Sequence, residues 1–274
     1  MTNTEIIAIH DAEAVGVIAA RSVLGIAYRQ GLTPQQWLHQ PKRILKVDNG
    51  IETALMTFDL GQSDRRDVFI KTYGMRRWWR FRYWLGRERA RVLWHISRRL
   101  RVAGVAVPES LGFLCWGDKR EGGGSAFFAE ALADCRDLHR IAAEPDYMQA
   151  LLRRWNLLEA LADTLAACHR AGISHGDFKW SNILIDEASG RHWLIDLDAA
   201  SGAWLRRGRR MAKDVARFVL NAEEAGLPEQ EIQRFIDRYA ENRGMSALQV
   251  NATMAKPLTK LRARHRRQRK ALRD

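Results

Sequence analysis

His169 to Asp198 reads HRAGISHGDFKWSNILIDEASGRHWLIDLD, and the fold turns on how this stretch is understood. At its centre, His175-Gly176-Asp177-Phe178-Lys179-Trp180-Ser181-Asn182 sets an acid, a Lys two residues on and an Asn five residues on into one compact loop. Ile195-Asp196-Leu197-Asp198 follows one short hairpin later, so a second acid stands beyond a β-turn. None of these residues is informative alone. Together they form D-x-K-x-x-N closed by an apolar-flanked Asp. That set offers a carboxylate for a hydroxyl proton, a cation for phosphoryl oxygens, and an amide and a carboxylate for Mg²⁺. In-line transfer of a phosphoryl group from a triphosphate needs this layout.

The stretch resembles the catalytic core of the protein-kinase-like superfamily. Within it the resemblance is to the lipopolysaccharide core kinase family, which phosphorylates Kdo or heptose sugars of the Gram-negative inner core. His-Gly-Asp in place of His-Arg-Asp is common among small-molecule members, and Ile-Asp-Leu-Asp is typical of the sugar-kinase branch. The likeness runs from about Ile44 to about Tyr239 and is densest from Leu157 to Asp214. It implies an α+β, protein-kinase-like, two-lobed fold: an antiparallel β-sheet N-lobe over residues 1–131 and a mainly helical C-lobe over residues 132–274.

The resemblance also implies ATP and Mg²⁺, and it assigns roles residue by residue. Asp177 positions the acceptor hydroxyl and takes its proton, while Lys179 reaches the γ-phosphoryl oxygens. Asn182 and Asp196 hold Mg²⁺ and, through it, the nucleotide. Lys71 pairs the α- and β-phosphates. Glu88 either orients Lys71 through an ion pair or is a plain charge on a helix surface. Glu130 falls in the segment Phe128 to Leu132, where kinases hinge and bond adenine through the backbone. His175 is read as a scaffold for the loop, and His169 and His192 as structural or surface residues. Asp198, where protein kinases have Gly, either assists a second metal or repels a wrong acceptor. Asp214 is either the family's buried acid that bonds the catalytic-loop backbone or an acid favoured by a helix N-terminus.

The remaining chain is compatible with two lobes. It has 274 residues, 46% of them apolar, enough for a sizeable core. Its 45 basic against 32 acidic residues give a formal charge of +13, which favours an anionic partner. That charge also suits nucleic acid, but the chain carries no nucleic-acid recognition motif, and no such partner is expected. Cys115, Cys135 and Cys168 lack metal-ligand spacing and read as free thiols of a reducing compartment. Charges at Glu5, Asp11, Glu13 and Arg21 interrupt any signal peptide, and no uncharged apolar run is long enough to span a bilayer. A cytoplasmic location follows, peripheral at the inner membrane.

Along the chain, Ala12 to Tyr28 is apolar enough for a helix or a strand pair, and Thr33-Pro34 reads as an N-cap with proline at the first helical position. Ile44–Val47, Thr53–Phe58 and Asp67–Lys71, parted by turn-rich Asp48-Asn49-Gly50 and by Gly61 to Asp64, predict an antiparallel meander that Lys71 closes. Gly50 stands alone there, without G-x-G-x-x-G. Met75 to Leu100 reads as a very basic helix. Val105–Phe113 and Ala126–Glu130 read as strands joined by a Gly-rich turn from Gly117 to Ser125. Helices dominate after Asp137: Trp155 to Ala171 has the 3.6-residue period of a core helix that Gly172 ends, and another starts at Lys213.

Two features bear on the acceptor. The gap from Asp196 to Asp214 is too short for a phosphorylated activation segment, and Gly176 replaces the Arg such a phosphate would contact. Within that gap lies Trp204-Leu205-Arg206-Arg207-Gly208-Arg209-Arg210, a charge suited to an anionic glycolipid. Arg76 to Trp84 alternates Arg with aromatics, as does a segment at an anionic membrane surface; the other reading is an amphipathic helix with its aromatics in the core. The expectation is an ATP- and Mg²⁺-dependent kinase of lipopolysaccharide core heptose or Kdo. The alternatives are a small-molecule kinase of the aminoglycoside or choline type, or a membrane-associated pseudokinase.

Overall fold

The structure is a computed structural model that describes residues 5–11, 14–60, 65–74, 88–118, 122–202 and 207–271. The basic-aromatic stretch Arg76 to Trp84 lies outside the described residues, as do Trp204 to Arg206. The chain divides into two compact units, Met1–Arg98 with Pro108–Ala133, and Arg99–Val107 with Asp134–Asp274. A single cut at residue 131 therefore overlooks residues 99–107, which return to the second unit. The Leu194 amide bonds the Ala106 carbonyl at 2.9 Å, and the Arg99 guanidinium bonds the Ala171 carbonyl at 3.2 Å.

In the first unit, strands β1 (Ile6–His10), β2 (Ala14–Ala19), β3 (Lys42–Asp48), β4 (Ile51–Asp59), β5 (Arg65–Gly74), β6 (Ser110–Asp118) and β7 (Gly122–Glu130) form one antiparallel sheet. Its order is β1-β2-β6-β7-β5-β4-β3. The β3–β4 turn is tight because Asn49 (φ 51°) and Gly50 (φ 76°) are both left-handed, the requirement of a two-residue hairpin. Strand β5 runs on to Gly74, which puts Lys71 inside it, opposite Thr53 and Phe127, rather than at its end.

Two expectations change here. Ala12 to Tyr28 holds both β2 and a helix, α1 (Val23–Arg29). Most of the Gly-rich run after Gly117 is strand, not turn. Gly123 and Gly124 pair closely against Trp116, where an added Cβ would meet the Trp116 carbonyl oxygen at 2.1 Å and its ring at 2.7 Å. Helix α2 (Pro34–Leu38) starts where Thr33-Pro34 predicts, with Thr33 and Gln36 forming a reciprocal capping box. It buries Trp37 completely, edge-on to Phe128, over a core that includes Met56, Phe58 and Ile70. Helix α3 (Arg89–Val102) follows β5.

The second unit carries a small sheet, β8 (Cys135–Asp137), β9 (Ile183–Asp186) and β10 (His192–Leu194), in the order β10-β9-β8. Helices α4 (Leu138–Ile141), α5 (Pro145–Arg154), α6 (Leu157–Arg170), α7 (Arg207–Glu224), α8 (Glu229–Arg243) and α9 (Ala247–Ala271) make up the rest. Helix α6 lies on α8 through ion pairs such as Arg238 to Asp163, at 2.6 and 3.1 Å. Gly172 (φ 75°) ends α6 and releases the chain into the 173–182 loop. Helix α7 begins six residues before the predicted Lys213, so Asp214 lies two turns inside it.

Candidate active site

The loop after α6 is built by alternation. Phe178 and Trp180 turn inward and are wholly buried, while Asp177 and Lys179 keep partial access to solvent. The inward pair packs on Phe218 of α7, with ring centroids 5.8 and 5.7 Å away, and Phe218 stacks on Phe235 of α8 at 3.9 Å. A loop anchored this way presents its polar residues at fixed positions.

One stripe of α7 then holds the loop backbone. Asp214, fully buried, accepts the Gly176 amide at 2.8 Å through Oδ1. Asn221 Oδ1 accepts the Trp180 amide at 3.0 Å. Between them, Arg217 forms an ion pair with the Asp177 carboxylate. Positions 214, 217 and 221 share one helical face, so D-x-x-R-x-x-x-N was the signal that sequence reasoning missed. The helix-terminus reading of Asp214 is excluded by its place inside α7.

Asp177 is thus a hub. Lys179 Nζ lies 3.2 Å from Oδ2, and Asn182 Nδ2 donates to the Asp177 carbonyl at 3.0 Å and to Oδ2 at 3.3 Å. With its amide nitrogen committed, Asn182 is left with a carbonyl oxygen to offer. His175 is buried, and burial lowers its pKa, so the ring is neutral. Its Nε2–H donates to the Ile195 carbonyl at 3.1 Å and its Nδ1 accepts the Asp177 amide at 3.3 Å. Ile195 also donates its amide to the Asn182 carbonyl at 3.0 Å. The loop thereby fixes the residue before Asp196, which itself sits in the left-handed region at φ 57°.

Gly176 has a steric explanation. Its φ is 82°, and a Cβ there would lie 2.3 Å from the Ala199 carbonyl oxygen, so no side chain fits.

Behind the loop, a relay of hydrogen bonds runs inward. The Asp214 Oδ2 is 3.3 Å from His169 Nε2, and His169 Nδ1 is 2.7 Å from the Tyr239 hydroxyl. Burial pushes that hydroxyl up to about 12 and lowers His169, which fixes the polarity. Tyr239 O–H donates to Nδ1 and Nε2–H donates to Asp214, while the charge of Arg243 acts on the Tyr239 oxygen. His169 is structural, as expected. His192 is largely buried and bonds Thr164 at 2.7 Å.

In the first unit, Lys71 is half-buried within β5. Glu88 precedes α3 and is only 8% exposed, with Arg91 Nε 3.0 Å from its carboxylate, so it is not a surface charge. Burial first, then the charge of Glu88, pushes the nearby Cys115 thiol up to about 12. Glu130 ends β7; its amide bonds the Glu109 carbonyl at 2.8 Å.

An antiparallel sheet unit followed by a helical unit, with D-x-K-x-x-N backed by a second acid, defines a protein of the protein-kinase-like fold. A solved structure of WaaP in complex with acyl carrier protein has the same fold, with a TM-score of 0.66 at 21% identity over 88% of this chain and 95% of that one. Residues 45–239 match the Lipopolysaccharide kinase (Kdo/WaaP) family, and the chain belongs to it. Membership places it among sugar kinases, phosphotransferases with an alcohol group as acceptor. It is 28% identical over 172 residues to the 3-deoxy-D-manno-octulosonic acid kinase of Vibrio vulnificus, covering 60% of this chain and 67% of that protein. Against the kinase of the same name from Xanthomonas oryzae pv. oryzae it is 36% identical over 115 residues, 41% of this chain and 42% of that one. The match thus spans under half the length of the Xanthomonas relative.

Proposed function

We propose that the protein transfers the γ-phosphoryl group of ATP to a hydroxyl of Kdo or heptose in the lipopolysaccharide inner core, acting peripherally at the cytoplasmic face of the inner membrane. The observation that carries this reading is Asp177, a carboxylate held by Arg217, Lys179 and Asn182 on a loop that three residues of α7 fix in place. A base so positioned takes the proton of the acceptor hydroxyl as the oxygen attacks phosphorus. Lys179 neutralises charge that grows on the phosphoryl oxygens. Lys71 would pair the α- and β-phosphates with Glu88 orienting it, and the backbone near Glu130 would receive adenine.

Mg²⁺ fits the donors available. Asn182 offers a neutral oxygen and Asp196 a carboxylate, the hard ligands that a magnesium ion combines with phosphates and retained water. When bound, the ion would withdraw charge from the phosphates; Asn182 and Asp196 would hold it there.

The test is incubation of the full chain with ATP, Mg²⁺ and unphosphorylated core oligosaccharide, followed by mass spectrometry. A single added phosphate on Kdo or heptose is expected, and Asp177→Asn should lower the rate by about 10²–10⁴-fold while nucleotide still binds. Transfer to an aminoglycoside or choline but to no core sugar would move the protein to the other small-molecule class. Nucleotide binding without transfer to any acceptor would make it a pseudokinase.

A further inference from the structure

A cavity of about 1010 Å³ lies within the second unit, bounded by α7, α8, α9 and Gly176 of the catalytic loop. Its lining is unusual in charge. Arg209, Arg210, Lys213, Arg243, Lys256, Lys260 and Arg264 contribute to it, and no Asp or Glu does. Among the described residues, none of these cations is held in an ion pair.

The pattern is built into α9. Val250, Met254, Leu258 and Leu261 form its buried stripe. Thr253, Lys256, Lys260 and Arg264, at the same helical spacing, form a second stripe that faces the cavity. Like charges gathered around one hollow repel one another and cost folding stability, and a bound anion removes that cost.

The cavity also communicates with the reacting group. Gly176 lines it, next in sequence to Asp177. Arg264 lies within electrostatic reach of Arg217, the partner of Asp177. Tyr239 and Arg243 are at once part of its wall and the inner end of the relay through His169 and Asp214 to the Gly176 amide.

We infer that this cavity is the acceptor's anion site: it holds phosphate or carboxylate groups already present on the saccharide while a neighbouring hydroxyl reaches Asp177. The inference rests on the sugar-kinase reading for the identity of the occupant. The volume suits it, being at the upper end of small-ligand pockets and large enough for a charged saccharide.

Calorimetric titration of the full chain tests it without turnover. The probes are phosphorylated core oligosaccharide, the same oligosaccharide after phosphatase treatment and carboxyl reduction, inorganic phosphate, and poly-L-glutamate. Lys256 and Lys260 are exposed, so the double variant Lys256→Glu, Lys260→Glu should fold, which a Tm no lower than that of wild type verifies. The charged oligosaccharide should bind wild type at least tenfold more tightly than its neutral form and lose roughly tenfold or more in the variant, with the difference shrinking as salt rises. Equal binding of charged and neutral forms, or an unaffected variant, overturns the inference. Inorganic phosphate alone binding as tightly would make this a free-phosphate site, and poly-L-glutamate doing so a protein-docking surface; either overturns the saccharide assignment. Wild type that phosphorylates the oligosaccharide beside an unaffected variant leaves the kinase reading standing and removes only the cavity. Charge-dependent binding without any transfer does the reverse.

Discussion

At Gly176, a residue that the sequence presents as the mere loss of an Arg is in fact a backbone requirement. That Asp177, Lys179 and Asn182 come together was legible because an acid, a cation and an amide at such short spacing must share one loop. The Ala199 oxygen that crowds Gly176 comes from a segment 23 residues away, and nothing local announces it. Gly176→Ala must accept both a left-handed φ and that contact, at a cost of about 2–4 kcal/mol. The expected outcome is a Tm lower by several degrees with a steep loss of turnover; an alanine variant as stable and active as wild type would contradict the geometry. Arg217 is the opposite case. It was invisible until the helix carrying it could be seen to face the loop.

Among elements, α7 does most to hold the site, through two different sets of side chains. Its polar stripe holds the loop backbone, and Phe218 fills the space beneath Phe178 and Trp180. Replacing Phe218 by Ala should cost about 3–5 kcal/mol and release the loop from below. Chemical denaturation would read the stability loss, and hydrogen exchange should show deprotection of the Gly176 and Trp180 amides first. Protection that is lost uniformly would mean the loop stands without α7. Periodicity revealed α6, and β-branched runs revealed the meander, because each element is patterned against its own core. The start of α7 was misplaced because Arg207 to Arg210 lacks any apolar period to mark it. The Gly-rich strand β7 was misread because glycine usually signals a turn, whereas here it makes room for Trp116.

For the molecule as a whole, buried histidines set a pH response. Burial first of all lowers the pKa of His169, His175 and His192 in the folded chain. As pH falls through about 6.5 the unfolded chain takes up protons that these rings refuse. Stability they confer is therefore complete above that pH and drains away below it. Melting curves at pH 7.5 and 5.5 should show the lower Tm in acid; an equal or higher Tm there would refute the assignment of neutral rings. The net charge of +13 could be counted from the sequence, but the meeting of some of its cations around one hollow could not, since α7, α8 and α9 meet only in three dimensions. The close fit of residue 176 beneath residue 199 also has a historical consequence. A lineage descending from this chain could not restore arginine at 176 in one step, because the strand of chain overhead would first have to withdraw. An arginine side chain at 176 is thus shut out by the neighbouring backbone itself.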